Sequence, residues 1–263
     1  MIVFSAIVPH SPLLLPTIGK ERQKKLKKTL EAYGAVEQEL YAAKPDCLVI
    51  FTPHGGTLPE SLPLFISPKY RANLKEFGDF KTAVEVPADM RVIESLRKLK
   101  YGKPAVPLQG VTEEFIDYGV SVPLYFLLPH LPQTTAVAIG DSYMPIKAHV
   151  ASGVYIGDAL HRSNKRVAVI ASADLSQTLT DNAPGGFSPE GKIFDETVVQ
   201  ALRKGSLNKI IALEPKMETA KACGLRVIAL LIGVLKEFNC TPELLAYEGP
   251  FGVGYLTAKF NFR

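Results

Sequence analysis

The sequence predicts an α/β fold, a central and mostly parallel sheet flanked by helices, in a single domain over residues 1–263. Three observations predict it. Short apolar, β-branched runs alternate with longer runs of helical period. Several of the short runs are apolar throughout their middles, as strands buried on both faces are. The opening strand, helix, strand order favours a right-handed parallel crossover. With 263 residues, 47% of them hydrophobic, the chain is long enough for a sizeable core, and no internal repeat, low-complexity tract or linker divides it.

Taken in order, Ile2 to Val8 reads as a strand that stops at Pro9. Lys20 to Lys44 reads as a helix, because Leu26, Leu30, Ala32, Tyr33, Val36 and Leu40 recur at helical spacing. Asp46 to Thr52 is a second buried strand and Leu62 to Ser67 a third, with a helix at Ala88 to Lys100. Val120 to Leu128 is apolar and fits either helix or strand. The alternation resumes with a strand at Thr135 to Gly140, a helix at Pro145 to Arg162 with proline in its first turn, and a buried strand at Arg166 to Ser172. Thr180 to Gly191 is rich in Asp, Asn, Pro and Gly and reads as loop. Phe194 to Lys204 and Ala222 to Phe238 read as helices, the latter central because it is apolar nearly all round, and Glu243 to Phe262 as two closing strands around Gly249 and Pro250.

Charge and cysteine usage narrow the function classes. The balance of 30 Lys+Arg against 26 Asp+Glu leaves +4, which Lys20, Lys24, Lys25, Lys27 and Lys28 account for, so nucleic acid is not an expected partner. Residues 1–8 lack the basic start of a secretory signal, and Pro9, Pro12 and Pro16 interrupt the stretch beyond them. The uncharged stretch Gly119 to Gly140 is broken by Pro123, Pro129 and Pro132, which argues against a membrane span. Cys47, Cys223 and Cys240 form no C-x-x-C pair, so the expected setting is the reducing cytoplasm, where ferrous iron persists.

Two histidines share one design, a strand, a proline and then the imidazole: Val8-Pro9-His10 and Thr52-Pro53-His54. Each proline stiffens the launch of its ring, and parallel strands of an open sheet gather their sites at their carboxyl ends. Two loop histidines bonded to backbone would show the same short pattern. Glu248, at a strand end beside the glycine-rich bend 249–254, offers a third ligand, and it would look no different as a solvated acid near a hairpin. Two imidazoles and a carboxylate on one face of an ion are the arrangement of non-haem Fe(II) oxygenases.

Further motifs join these in order along the chain. They are VPHSPLL around His10, TPHGG around His54, Asp117-Tyr118-Gly119, Ala171-Ser172-Ala173-Asp174-Leu175-Ser176-Gln177, the loop Asp181 to Asp195, Ala222-Cys223-Gly224-Leu225-Arg226 and YEGPFGVGYLTA over Tyr247 to Ala258. Together they resemble the class III extradiol ring-cleavage dioxygenase family, LigB-like type, and within it the proteins associated with Memo-like and radical-SAM partners. The resemblance implies a mononuclear Fe(II) on His10, His54 and Glu248, with a catechol-like aromatic and O2 as substrates and a Memo-like or radical-SAM protein as a partner. It also implies acid–base histidines where this chain has Gln177 and Tyr118, and glycine where it has Ala173. Glutamine does not titrate near neutral pH and tyrosine, with a pKa of about 10, is a reluctant base, so ring cleavage is expected to be impaired more than metal binding.

The other candidates divide by chemistry and position. Asp174 is either a carboxylate base or a cap for the helix or turn after it, with the cap favoured. Cys223, at the start of an apolar helix, is expected in the core rather than as a ligand, although a helix N-terminus would lower its pKa. His149 and His161 are expected on different faces of one helix, at the surface, and His130 in a loop. Two readings stand beside the dioxygenase: a non-oxygenase partner or scaffold using the same crevice, and a Zn or Mn hydrolase using the same ligands.

Overall fold

In a computed structural model, which describes residues 1–98 and 105–263, the first strand is β1 (Ile2–Val8), buried almost throughout. Its one hydroxyl, on Ser5, donates to the Val169 carbonyl at 3.0 Å, so burial leaves no side-chain polar group unpaired there. The chain turns through the short helix α1 (Pro16–Gly19) and a 3-10 segment, Lys20–Leu26, into α2 (Lys27–Ala43). The expected helix therefore starts seven residues later as an α-helix, because Lys20 sits at φ 48° and interrupts the helical path.

β2 (Cys47–Thr52) is buried at all six positions, and each large apolar side chain so placed contributes roughly 1.5–3 kcal/mol. There follow β3 (Leu62–Phe65), β4 (Lys69–Ala72), β5 (Glu85–Pro87) and α3 (Met90–Arg97), whose first turn is capped by Asp89 accepting from Val92 N–H at 3.0 Å. The expected end of that helix, at 99–100, lies outside the described residues. After β6 (Leu108–Val111) and β7 (Phe115–Ile116), the apolar segment that fits either helix or strand in sequence is the helix α4 (Tyr118–Leu127). Asp117 caps it through Gly119 N–H, and Pro123 lies inside it.

β8 (Thr135–Gly140), α5 (Ile146–His161) and β9 (Val167–Ser172) match the expected alternation. α6 (Pro189–Arg203) starts five residues earlier than the periodicity suggests, because Pro189 takes a first-turn position that needs no N–H. Two single turns, α7 (Asn208–Ile211) and α8 (Met217–Ala220), precede the buried helix α9 (Leu225–Leu235), and the hairpin β10 (Cys240–Glu248) and β11 (Tyr255–Phe262) closes the chain.

The main sheet has the order β10-β11-β1-β9-β2-β8-β3-β6. Its centre, β1, β9, β2 and β8, is parallel throughout. The carboxyl ends of those strands are Val8, Ser172, Thr52 and Gly140, so the residues just beyond them share one edge of the sheet. β4, β5 and β7 form a small second sheet. Among the described residues, no helix is long and apolar enough to cross a membrane.

Candidate metal centre

Beyond the carboxyl ends of β1 and β2, the two Pro-His dipeptides bring their rings together. His54 Nε2 lies 3.2 Å from His10 Nε2, and the rings meet edge to face at 4.9 Å between centroids. The Cys223 Sγ lies 3.6 Å from the same His10 nitrogen. Among the described residues, the ligand atoms of His10, His54 and Cys223 all lie within 4.8 Å of one another.

The two edges that meet at His10 Nε2 fit one cation. Imidazole nitrogens at about 2.0–2.1 Å and a thiolate at about 2.3 Å from a tetrahedral ion stand roughly 3.3 Å (N to N) and 3.6 Å (N to S) apart. Burial prepares the nitrogens: desolvation pushes both histidines down to about 3, with the proximity of His10 adding to the effect on His54, so both rings are neutral near pH 7. It opposes the thiol, whose pKa is pushed far up by burial and then by the Asp174 charge. The expectation that a helix N-terminus would lower it is overridden by desolvation, and ionisation of Cys223 requires a cation beside it.

Cys223 reaches the rings because Gly224, the N-cap of α9, packs where a Cβ would fall 2.5 Å from the Ala173 Cβ and 2.6 Å from the Asp174 carbonyl oxygen. The Gly224 N–H donates to that carbonyl at 3.0 Å. Sequence reasoning places Cys223 in the core, and the signal it passes over is this Cys-Gly pair opening an apolar helix.

Glu248 is not one of the converging groups. Its Oε1 accepts from the Thr29 N–H at 2.8 Å and from the Thr29 hydroxyl at 2.7 Å, so the carboxylate is committed to the first turn of α2. An acid with two donors at a helix start is well stabilised there.

Asp174 does not cap a helix, since loop comes after it. Its Oδ1 accepts the His10 N–H at 3.0 Å and its Oδ2 lies 3.7 Å from His10 Nε2. The carboxyl is buried, and desolvation raises its pKa to about 7. The Gln177 side chain, near Cys223, acts in the opposite direction to burial and favours the thiolate. Tyr118 stacks obliquely on His54 at 4.4 Å between centroids, with its hydroxyl 3.4 Å from Nδ1, and burial raises its pKa so that it keeps its proton. Of the remaining histidines, His149 corrects the expectation of a surface residue. It is fully buried on α5, and its Nε2 faces the Ser142 N–H while Nδ1 faces the Pro145 carbonyl. His161 is exposed, and His130 pairs with Glu37 at the surface.

The family model described as the catalytic LigB subunit of aromatic ring-opening dioxygenase matches residues 5–258. A protein of Clostridium acetobutylicum, whose name states no activity, is 27% identical over 97% of this chain and 56% of its own length. A 2,3-dihydroxyphenylpropionate/2,3-dihydroxicinnamic acid 1,2-dioxygenase of Mycolicibacterium vanbaalenii is 29% identical over 64% of this chain and 54% of its own. The chain thus spans about half the length of these curated relatives. The crystal structure of an uncharacterized Escherichia coli K12 protein shares the fold, with a TM-score of 0.66 at 14% identity over 98% of this chain and 99% of that one.

Proposed function

The chain belongs to the family of catalytic LigB subunits of aromatic ring-opening dioxygenases, and from that premise we propose that it is a metal-dependent protein acting on a catechol-like aromatic and O2. One metal ion is held by His10, His54 and Cys223. The observation that carries the reading is the pair of neutral imidazole nitrogens 3.2 Å apart with a sulfur at 3.6 Å, edges that a single ion would span.

When bound, the ion supplies Lewis acidity that eases loss of a proton from a phenol, together with an open position for a co-reactant. The protein's own groups do the rest. Asp174, with a pKa near 7 and one oxygen 3.7 Å from His10 Nε2, takes the phenolic proton and returns it. Gln177 favours the thiolate form of Cys223 and does not itself titrate near neutral pH. Tyr118 keeps its proton and supplies a ring wall beside His54. The reading sets Fe(II) in the site, because ring opening with O2 requires a redox-active ion.

A second reading rests on Cys223. A thiolate with two imidazoles suits Zn(II), and a zinc centre with Asp174 as base would hydrolyse rather than oxidise. A Memo-like or radical-SAM partner belongs to the proposal on the sequence resemblance, and co-purification from the host tests it.

The test is anaerobic loading with Fe(II) or Zn(II), followed by oxygen uptake with catechol and 2,3-dihydroxyphenylpropionate. The dioxygenase reading expects one ion per chain and oxygen uptake with iron, reduced by about 10²-fold or more in Asp174→Asn. One ion without uptake, combined with ester hydrolysis by the zinc form, replaces it with the second reading. No ion bound defeats both.

A further inference from the structure

Pro123 sits in the interior of α4, where a residue with an N–H would donate to the carbonyl four positions back, on Gly119. Proline has no N–H to give. The Gly119 carbonyl is instead taken by the hydroxyl of Ser172, the last residue of β9. That hydroxyl also lies 3.0 Å from His10 Nδ1. A serine hydroxyl has one proton, and here it points at Gly119, so towards His10 the oxygen can act as acceptor alone. His10 must then carry its proton on Nδ1, which leaves the Nε2 lone pair facing His54 and Cys223.

We propose that Ser172, held by the carbonyl that Pro123 leaves free in α4, is a positioning residue that fixes the His10 tautomer with Nε2 bare for metal. The inference rests on the metal reading above for its consequence, though not for its geometry. Ser172 is completely buried between strand and helix, so water does not compete for the hydroxyl. The neighbouring backbone adds a second clamp, since the His10 N–H is held by Asp174, two residues beyond Ser172. Ring orientation and tautomer are therefore both set from the end of β9. Partners that orient a ligating histidine in this way are typically worth about 10–100-fold in metal affinity.

The experiment uses the full chain. Nitrogen-15 NMR of the histidine rings in metal-free protein reads the tautomer directly, and competition against a chromophoric chelator reads Zn(II) affinity. The expected result is a His10 ring protonated at Nδ1 in the wild type, a mixture of tautomers in Ser172→Ala, and Zn(II) affinity lower by about 10–100-fold in that variant. Co(II) absorption, which reports a thiolate ligand, should persist in the variant at saturating metal, because Cys223 is untouched. Pro123→Ala restores a competing N–H, so it should weaken Zn(II) binding by a smaller factor while leaving the helix no less stable.

A wild-type His10 protonated at Nε2 overturns the proposal, without any variant having to fold. So does Ser172→Ala with native affinity within about twofold, well below the effect expected of an orienting partner. If the wild type binds no metal, the metal reading fails while the tautomer measurement still decides the relay.

Discussion

The two Pro-His dipeptides look alike in sequence and are held very differently. His10 is 1% exposed, with its backbone N–H on Asp174 and its Nδ1 on Ser172. His54 is half-buried, and its Nδ1 meets the Tyr118 hydroxyl at 3.4 Å, long for a hydrogen bond. A 3-10 turn, Pro12–Leu14, comes soon after His10, whereas Gly55 and Gly56, both at positive φ, come directly after His54. Proline stiffens the approach to each ring, but the chain beyond the ring decides its freedom. The difference describes a fixed ring and a less constrained one, which would suit the proposed site if it admits a substrate beside an ion.

The largest expected effect that would break this comparison comes from the ligands themselves. His10→Ala and His54→Ala should each lower Zn(II) affinity by more than the ~10²-fold of an orienting partner. They should part in stability: His10→Ala should lower the unfolding midpoint, since it empties a buried site and strands Ser172, while His54→Ala should shift it little. Equal thermal shifts in calorimetry would erase the distinction.

A smaller effect tests the support of the β9 arm that holds His10. Asp195 accepts from the Ser176 N–H at 2.9 Å and from the Tyr247 hydroxyl at 2.7 Å, and burial raises its pKa to about 6. The native chain keeps this proton up to about pH 6, whereas an unfolded chain releases it near 3.9. Between those values the native state binds more protons, so this group makes stability fall as pH rises from about 4 to 6 and adds nothing further above that. Asp195→Asn should remove about 2 kcal/mol of that fall. Urea titrations of both proteins at pH 4 and pH 7 measure it, and an unchanged difference would contradict it.

The smallest effect sharpens the comparison. Tyr118→Phe removes the hydroxyl 3.4 Å from His54 Nδ1 and should change Zn(II) affinity by about threefold or less, at the weak end of a hydrogen bond. A loss as large as that expected for Ser172→Ala would make His54 as tightly governed as His10.

The central strands were legible because runs such as Cys47–Thr52 and Val167–Ser172 are apolar on both faces, a property that needs no knowledge of their partners. α4 was not, because Pro123 speaks against a helix locally and its freed carbonyl is satisfied by a serine 53 positions away. In the site, stiff launching from neighbouring strands was readable for both histidines. Which third group meets them was not, since Glu248 and Cys223 both sit near glycine at element ends. Asp174 was read as a cap because local bonds are the ones a sequence suggests, whereas its partner, His10, is 164 positions distant.

The last hairpin has a bearing on how the chain assembles as it is synthesised. Gly254 exchanges backbone bonds with Leu175 and Ser176, Gly252 accepts from Leu179, and Glu248 reaches back to Thr29. A nascent polypeptide can thus complete all four central strands with the segment after Asp174 still loose. A truncation in that hairpin should therefore remove the β10–β11 edge of the sheet while leaving β1, β9, β2 and β8 paired with one another, and the segment after Asp174 unorganised.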